Sequence, residues 1–132
     1  MLGGSFFFKI GVDNYYKVNY INIISNKMEK KMQLITKEIQ KKLDAKGNKP
    51  VLKLFTPWGG ATWLISEIDN DGDTMFGLCD LGLGHVELGY VSLNELKSLN
   101  GPFGLKVERD MYFSTDETLE QWADKSKEKI AA

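Results

Sequence analysis

The sequence predicts an α+β fold: a mainly antiparallel sheet of about five strands with helices packed on one face. Three observations predict it. Short β-branched and aromatic runs recur between residues 51 and 113, separated by Gly-, Pro- and Asp-rich turns. Segments with helical spacing and capping residues stand before, within and after those runs. The chain has 132 residues, 42% of them hydrophobic, so it holds enough apolar surface for one core.

The first 31 residues differ in texture from the rest. Phe6, Phe7, Phe8, Tyr15, Tyr16 and Tyr20 crowd into a stretch rich in Asn and Lys. Lys17 to Ile24 alternates imperfectly and favours a strand, with Ser5 to Ile10 as its hairpin partner across Gly11 to Asn14. A second reading makes Met28 or Met32 the natural start and the residues before it an added extension. Either way, 1–31 is read as an N-terminal extension and 32–132 as a single α+β domain. No charged n-region precedes the apolar stretch, and Lys9 interrupts it, so a signal peptide is not indicated.

The elements of the domain follow in order. Thr36 is an N-cap candidate, with Glu38 in the first turn and Ile39 and Leu43 four apart on one face. Gly47 and Pro50 form the stop signal. Val51 to Phe55 is a strand, closed by the turn Thr56-Pro57-Trp58-Gly59-Gly60. Ala61 to Ile68 is the next strand, with Trp63, Ile65 and Glu67 on one face and Thr62, Leu64 and Ser66 on the other. Asp71-Gly72 is a hairpin signal leading into Met75 to Asp80. Val86 to Val91 is a fourth strand, in which Gly89 marks a bulge or a close backbone approach. Ser92 and Glu95 fit a capping box over a helix that buries Leu93 and Leu96 and stops by Gly101-Pro102. Leu105 to Phe113 is a fifth strand. Ser114 or Thr115 then caps a last helix carrying Leu119, Trp122, Ala123 and Ser126 at helical spacing.

Charge is unevenly spread. Met1 to Lys53 holds eleven lysines against four acids, and Leu54 to Ala132 holds six cations against fourteen acids, so a net charge of -1 hides a split of +7 and -8. Such a split steers an acidic partner to one side. Arg109 is the sole arginine, which speaks against base-specific DNA reading by arginine forks. Generic phosphate contact by lysines stays open, with the adjacent pairs Lys30-Lys31 and Lys41-Lys42 as candidates. Cys79 is the one cysteine, so no intrachain disulfide forms, in keeping with a cytoplasmic setting. No apolar run approaches the roughly 20 residues of a membrane span, and no membrane partner is expected.

Motifs with chemical vocabulary are incomplete. Asp69, Asp71 and Asp73 alternate like calcium-loop ligands, but Thr74 stands where such a loop needs glycine, so a polar hairpin turn is the reading. Asp80, His85 and Glu87 are the residues suited to acid–base work, with Cys79 as a nucleophile, yet alternation sets Cys79 and Asp80 on opposite strand faces. One His and one Cys do not make a zinc site. Gly82-Leu83-Gly84 lacks the rest of a nucleotide fingerprint. No cofactor and no catalytic residue is assigned. Arg109, between Glu108 and Asp110, is expected either to pair across strands with Glu67 or Glu87, or to present itself to a partner's carboxylate or phosphate. Trp63 and Tyr112 are expected in the core. Trp58 and Phe103, in Gly/Pro turns, are the first candidates for a contact surface.

The blocks from Pro50 to Pro57, Gly60 to Glu67, Phe76 to Gly82, Glu87 to Leu93, Gly101 to Leu105 and Val107 to Asp110 resemble, in order, the small bacterial domain-of-unknown-function family numbered twenty-nine fifty-eight. The resemblance covers about Leu34 to Phe113. It implies an accessory gene of plasmids, phage-like or conjugative elements, and carries no catalytic residue. The resulting expectation is a non-catalytic binding protein of mobile DNA, an anti-defence inhibitor of a host protein or nucleoprotein such as a nucleic-acid-guided nuclease. The alternatives are a nucleic-acid-binding module using the lysine-rich half, and a small hydrolase or transferase around Asp80, His85 and Glu87.

Overall fold

A computed structural model of the chain describes residues 5–10, 14–19 and 33–131, with side chains over 33–128. The chain divides after Gln33 into two compact units. In the first, β1 (Ser5–Ile10) pairs antiparallel with β2 (Asn14–Asn19), from Ser5 opposite Asn19 to Ile10 opposite Asn14. The second strand thus begins three residues before the expected Lys17, because a hairpin with a short loop pairs directly after its turn. Residues 20–24 of the expected strand, and Lys30 and Lys31, lie outside the described residues.

The second unit is an antiparallel sheet of β3 (Leu52–Phe55), β4 (Thr62–Ile68), β5 (Thr74–Asp80), β6 (Val86–Ser92) and β7 (Glu108–Arg109), in the spatial order β6-β5-β4-β3-β7. Three helices complete it: α1 (Lys37–Asp44), α2 (Leu93–Ser98) and α3 (Leu119–Ala131). The α+β class and the five-stranded sheet agree with the sequence reading.

The helices do not all share one face. Leu52, Leu54, Trp63, Ile65, Ile68 and Met75 pack with Leu43 of α1 and with Leu93 and Leu96 of α2. Leu64, Leu78 and Val86 pack with Leu119 and Ala123 of α3. Because neighbouring strand residues point to opposite faces, these two clusters lie on opposite sides of the sheet. Strand β4 therefore buries Trp63, Leu64 and Ile65 consecutively, as a strand covered on both sides does.

A register shift in β4 alters its alternation. Ile65 pairs with Gly77, but Glu67 pairs with Phe76 and Ile68 with Met75, so Ser66 is the extra residue of a bulge. After it, Ile68 rather than Glu67 returns to the Trp63 face, and Glu67 is only half-buried. The close backbone approach expected at Gly89 occurs instead at its cross-strand partner Gly77. A Cβ on Gly77 would lie 2.0 Å from the Leu64 carbonyl oxygen, whereas one on Gly89 would meet nothing within 4 Å.

Helix ends follow local side-chain chemistry. The Thr36 hydroxyl accepts from the Ile39 N–H at 3.2 Å, starting α1 as expected. Its end is made at Lys46, which takes the left-handed conformation (φ 52°) one residue before the expected Gly47 and donates its N–H to the Leu43 carbonyl at 3.1 Å. Ser92 caps α2 by accepting from the Glu95 N–H at 3.2 Å. The rest of that cap comes from Asp73 on the β4–β5 turn, whose carboxylate accepts from the Ser92 hydroxyl at 2.8 Å and the Asn94 N–H at 2.7 Å. Helix α3 starts at a reciprocal Thr118/Gln121 box, later than the expected Ser114 or Thr115: the Gln121 N–H reaches the Thr118 hydroxyl at 3.2 Å and the Thr118 N–H reaches Gln121 Oε1 at 2.8 Å. Thr115 instead accepts the Trp122 indole N–H at 3.3 Å.

The expected strand from Leu105 to Phe113 contracts to the two residues of β7. Asp110 stops it, because its carboxylate accepts from the Tyr112 N–H at 2.9 Å and turns the chain away from β3. Tyr112 consequently leaves the core and is 90% exposed, while Trp63 is buried as expected. Among the described residues no helix is long and apolar enough to cross a membrane.

Candidate functional site: an exposed aromatic loop and an arginine pocket

Two places in the Leu34–Ala132 unit concentrate the candidate residues. The first is the loop after α2. A 3₁₀ turn at Pro102–Gly104 is closed by the Gly101 N–H donating to the Leu105 carbonyl at 2.8 Å and the Leu105 N–H donating to the Pro102 carbonyl at 3.1 Å. Phe103 sits at its tip in the left-handed conformation (φ 58°) and is fully exposed. Leu99 and Leu105 flank it, both more than a third exposed. The loop rests on Trp58, which is half-buried against the core rather than presented to solvent. A Cβ on Gly101 would stand 2.3 Å from the Trp58 ring, so only glycine lets the loop lie this close. Trp58 is thus the support and Phe103 the exposed tip.

The second place is a cavity of about 260 Å³ between α1 and the β3–β7 edge. Thr36, Ile39 and Lys42 line it from α1, Val51 and Leu52 from the entry to β3, and Arg109, Asp110, Met111 and Phe113 from β7 and the turn after it. Arg109 pairs opposite Leu54 at the β7 edge. It makes no ion pair with Glu67 or Glu87: Glu87 lies on β6, at the other end of the sheet order, and the bulge turns Glu67 to the opposite face. Its Nη1 is buried without a hydrogen-bond partner. Asp110 does not supply one, since one carboxylate oxygen takes the Tyr112 N–H and the other faces Lys53 Nζ at 3.9 Å. Lys41 and Lys42 are both exposed on α1, and only Lys42 borders the cavity.

The acid–base residues do not build a comparable hollow. His85 and Glu87 are largely exposed side by side, with Nε2 and Oε1 4.0 Å apart. The Asp80 carboxylate accepts the Gly82 N–H at 2.9 Å and so shapes its own turn. Cys79 and Glu87 face each other across β5 and β6, while Asp80 pairs with Val86 on the other face. Burial pushes the Cys79 thiol above its ordinary pKa, opposite to an activated nucleophile.

The aspartate turn is likewise self-contained. Asp71 accepts from the Asp73 and Thr74 N–H groups at 2.8 Å and from the Thr74 hydroxyl at 2.6 Å. The Thr74 hydroxyl first, then the two N–H groups, hold its pKa below the ordinary carboxylate value. With Asp73 engaged by α2, two of the three alternating carboxylates are committed to structure.

Sequence reasoning missed Met111, Phe113, Ile39 and Val51 as walls of one cavity, since residues 36 to 113 meet there only through the fold. Against this geometry, the model for a family described as Protein of unknown function (DUF2958) matches residues 23–131. The chain belongs to the DUF2958 family. No curated protein and no solved structure matches it. The DUF2958 match begins ahead of the Leu34 boundary and runs to the last residue of α3, so both the aromatic loop and the cavity fall within it.

Proposed function

We propose that this protein is a non-catalytic binding protein, an accessory product of mobile DNA that acts in the cytoplasm as an anti-defence inhibitor on a host protein or nucleoprotein, such as a nucleic-acid-guided nuclease. The observation that carries the reading is Phe103. A phenylalanine in the left-handed region is strained by roughly 1–2 kcal/mol, and full exposure forgoes roughly 1.5–3 kcal/mol of burial. Among the described residues nothing covers the ring, and a partner that covers it recovers that burial. Aromatic side chains set in this way are the usual anchors of protein interfaces. The mobile-DNA setting rests on the family resemblance.

The test is affinity capture from host lysate with wild-type protein and Phe103→Ala, each with and without nuclease treatment. A partner retained after nuclease treatment and lost with Phe103→Ala supports the reading. A partner lost with nuclease and indifferent to Phe103 supports nucleic-acid binding instead. That alternative draws on the exposed Lys37, Lys41, Lys42, Lys46 and Lys49 on and after α1, and it requires steep salt dependence. The hydrolase alternative has less behind it, because His85 and Glu87 stand in open solvent.

A further inference from the structure

We infer that the cavity between α1 and the β3–β7 edge is a binding site for a carboxylate carried on a short apolar stem. Three features define the ligand. The first is the orphaned guanidinium nitrogen. Buried polar hydrogens are nearly always paired, and a buried donor without a partner points to a missing acceptor. Two buried side-chain atoms lack partners among the described residues, Arg109 Nη1 and Glu117 Oε2, but the other Glu117 oxygen holds Lys125. The Arg109 side chain makes no hydrogen bond or ion pair among the described residues, and the residue borders the cavity.

Charge is the second feature. Lys42 and Arg109 give the lining two positive charges, and its one carboxylate, Asp110, already faces Lys53 at 3.9 Å, so the lining is left net positive. A carboxylate meets a guanidinium through two parallel N–H donors and brings one charge to an otherwise apolar wall, where a phosphate dianion costs more to desolvate. Asp110 does not compete for Arg109, because Tyr112 and Lys53 occupy it. The third feature is the wall: Ile39, Val51, Leu52, Met111 and Phe113 are apolar. At about 260 Å³ the space falls just short of the roughly 300–1,000 Å³ of drug-sized pockets, so it suits an acid of amino-acid size. The guanidinium fixes the carboxylate and the wall takes the stem. This inference stands whether or not Phe103 engages a protein.

The experiment is an amide NMR titration of the full chain with 4-methylpentanoate, with 4-methylpentanamide as the uncharged counterpart. The expected result is saturable shifts confined to residues 36–42, 51–52 and 109–113 with the acid, and none with the amide. Arg109→Gln is expected to weaken the acid by roughly tenfold or more, the equivalent of one charge-assisted hydrogen bond. Lys42→Ala, at an exposed position, is expected to weaken it less while leaving the spectrum of the free protein intact. A leucine-terminated tripeptide, with free or amidated carboxylate, tells the source of the group: binding only with the free terminus assigns the site to a peptide C-terminus, and no binding by either assigns it to a free small acid. Equal response to acid and amide, shifts elsewhere, or an affinity indifferent to both Arg109→Gln and Lys42→Ala overturns the inference.

Discussion

Replacing Phe103 with asparagine separates what the residue does for the fold from what it does for a partner. At φ 58° a phenylalanine carries left-handed strain, whereas asparagine adopts this region readily. The ring is fully exposed, so Phe103→Asn removes no buried contact that would offset the relief. Left-handed strain of roughly 1–2 kcal/mol, only part of which asparagine escapes, gives an expected gain of about 0.5–1 kcal/mol. In a unit of about 100 residues, 1 kcal/mol moves the midpoint by roughly 4–8 °C, so a rise of about 2–8 °C is expected. Thermal melts and urea titrations read it, with an unchanged m-value showing that the unfolded state is not the cause. The same variant is expected to lose partner capture. A loss of stability of about 1 kcal/mol or more would show that the ring is packed in solution, and the argument from its exposure would fail.

Three further predictions concern the frame that holds these sites. Gly77→Ala is expected to cost more than about 3 kcal/mol or abolish folding, because its Cβ would meet β4 backbone, while Gly89→Ala across the same ladder stays within about 1 kcal/mol; denaturant midpoints of the pair check it. Asp73→Ala removes the carboxylate that caps α2 from the neighbouring turn and is expected to cost about 1–2 kcal/mol, with faster hydrogen exchange at Asn94 and Glu95. Asp71 is held below its ordinary pKa of 3.8 by Thr74 and the turn amides, so its contribution is present above that value and disappears as pH falls through the lower folded value. The stability difference between wild type and Asp71→Asn is therefore expected to be flat from neutral pH down to about pH 5 and to shrink below about pH 4, as urea midpoints across that range will show.

What could be read in advance was local chemistry. Thr36 and Ser92 announce their helices because an N-cap is decided within four residues, and Asp71-Gly72 announces its hairpin for the same reason. The split of the helices between two faces was written more faintly, in the unbroken Trp63-Leu64-Ile65 run, which alternation cannot explain. The bulge at Ser66 had no local marker, and Gly89 drew the suspicion that belonged to Gly77 because the two differ only in what lies beneath them. Strand β7 was overextended because the β-rich run from Leu105 outweighed the turn chemistry of Asp110. Phe103 was legible as an exposed residue from Gly-Pro-Phe-Gly, whereas the depth of Trp58 was not, since its cover is the backbone of Gly101. The cavity was out of reach: α1, β3 and the turn after β7 are brought together by strand pairing between distant segments.

The central claim, that this protein acts by contact through the loop after α2, is tested most directly by placing a photo-crosslinking phenylalanine at position 103 in host cells, with the same residue at the exposed turn position Asn70 as control. The account predicts one host protein joined through position 103 and absent from position 70, in quantity that survives nuclease digestion. Equal labelling at both positions, or attachment only to nucleic acid, would contradict it.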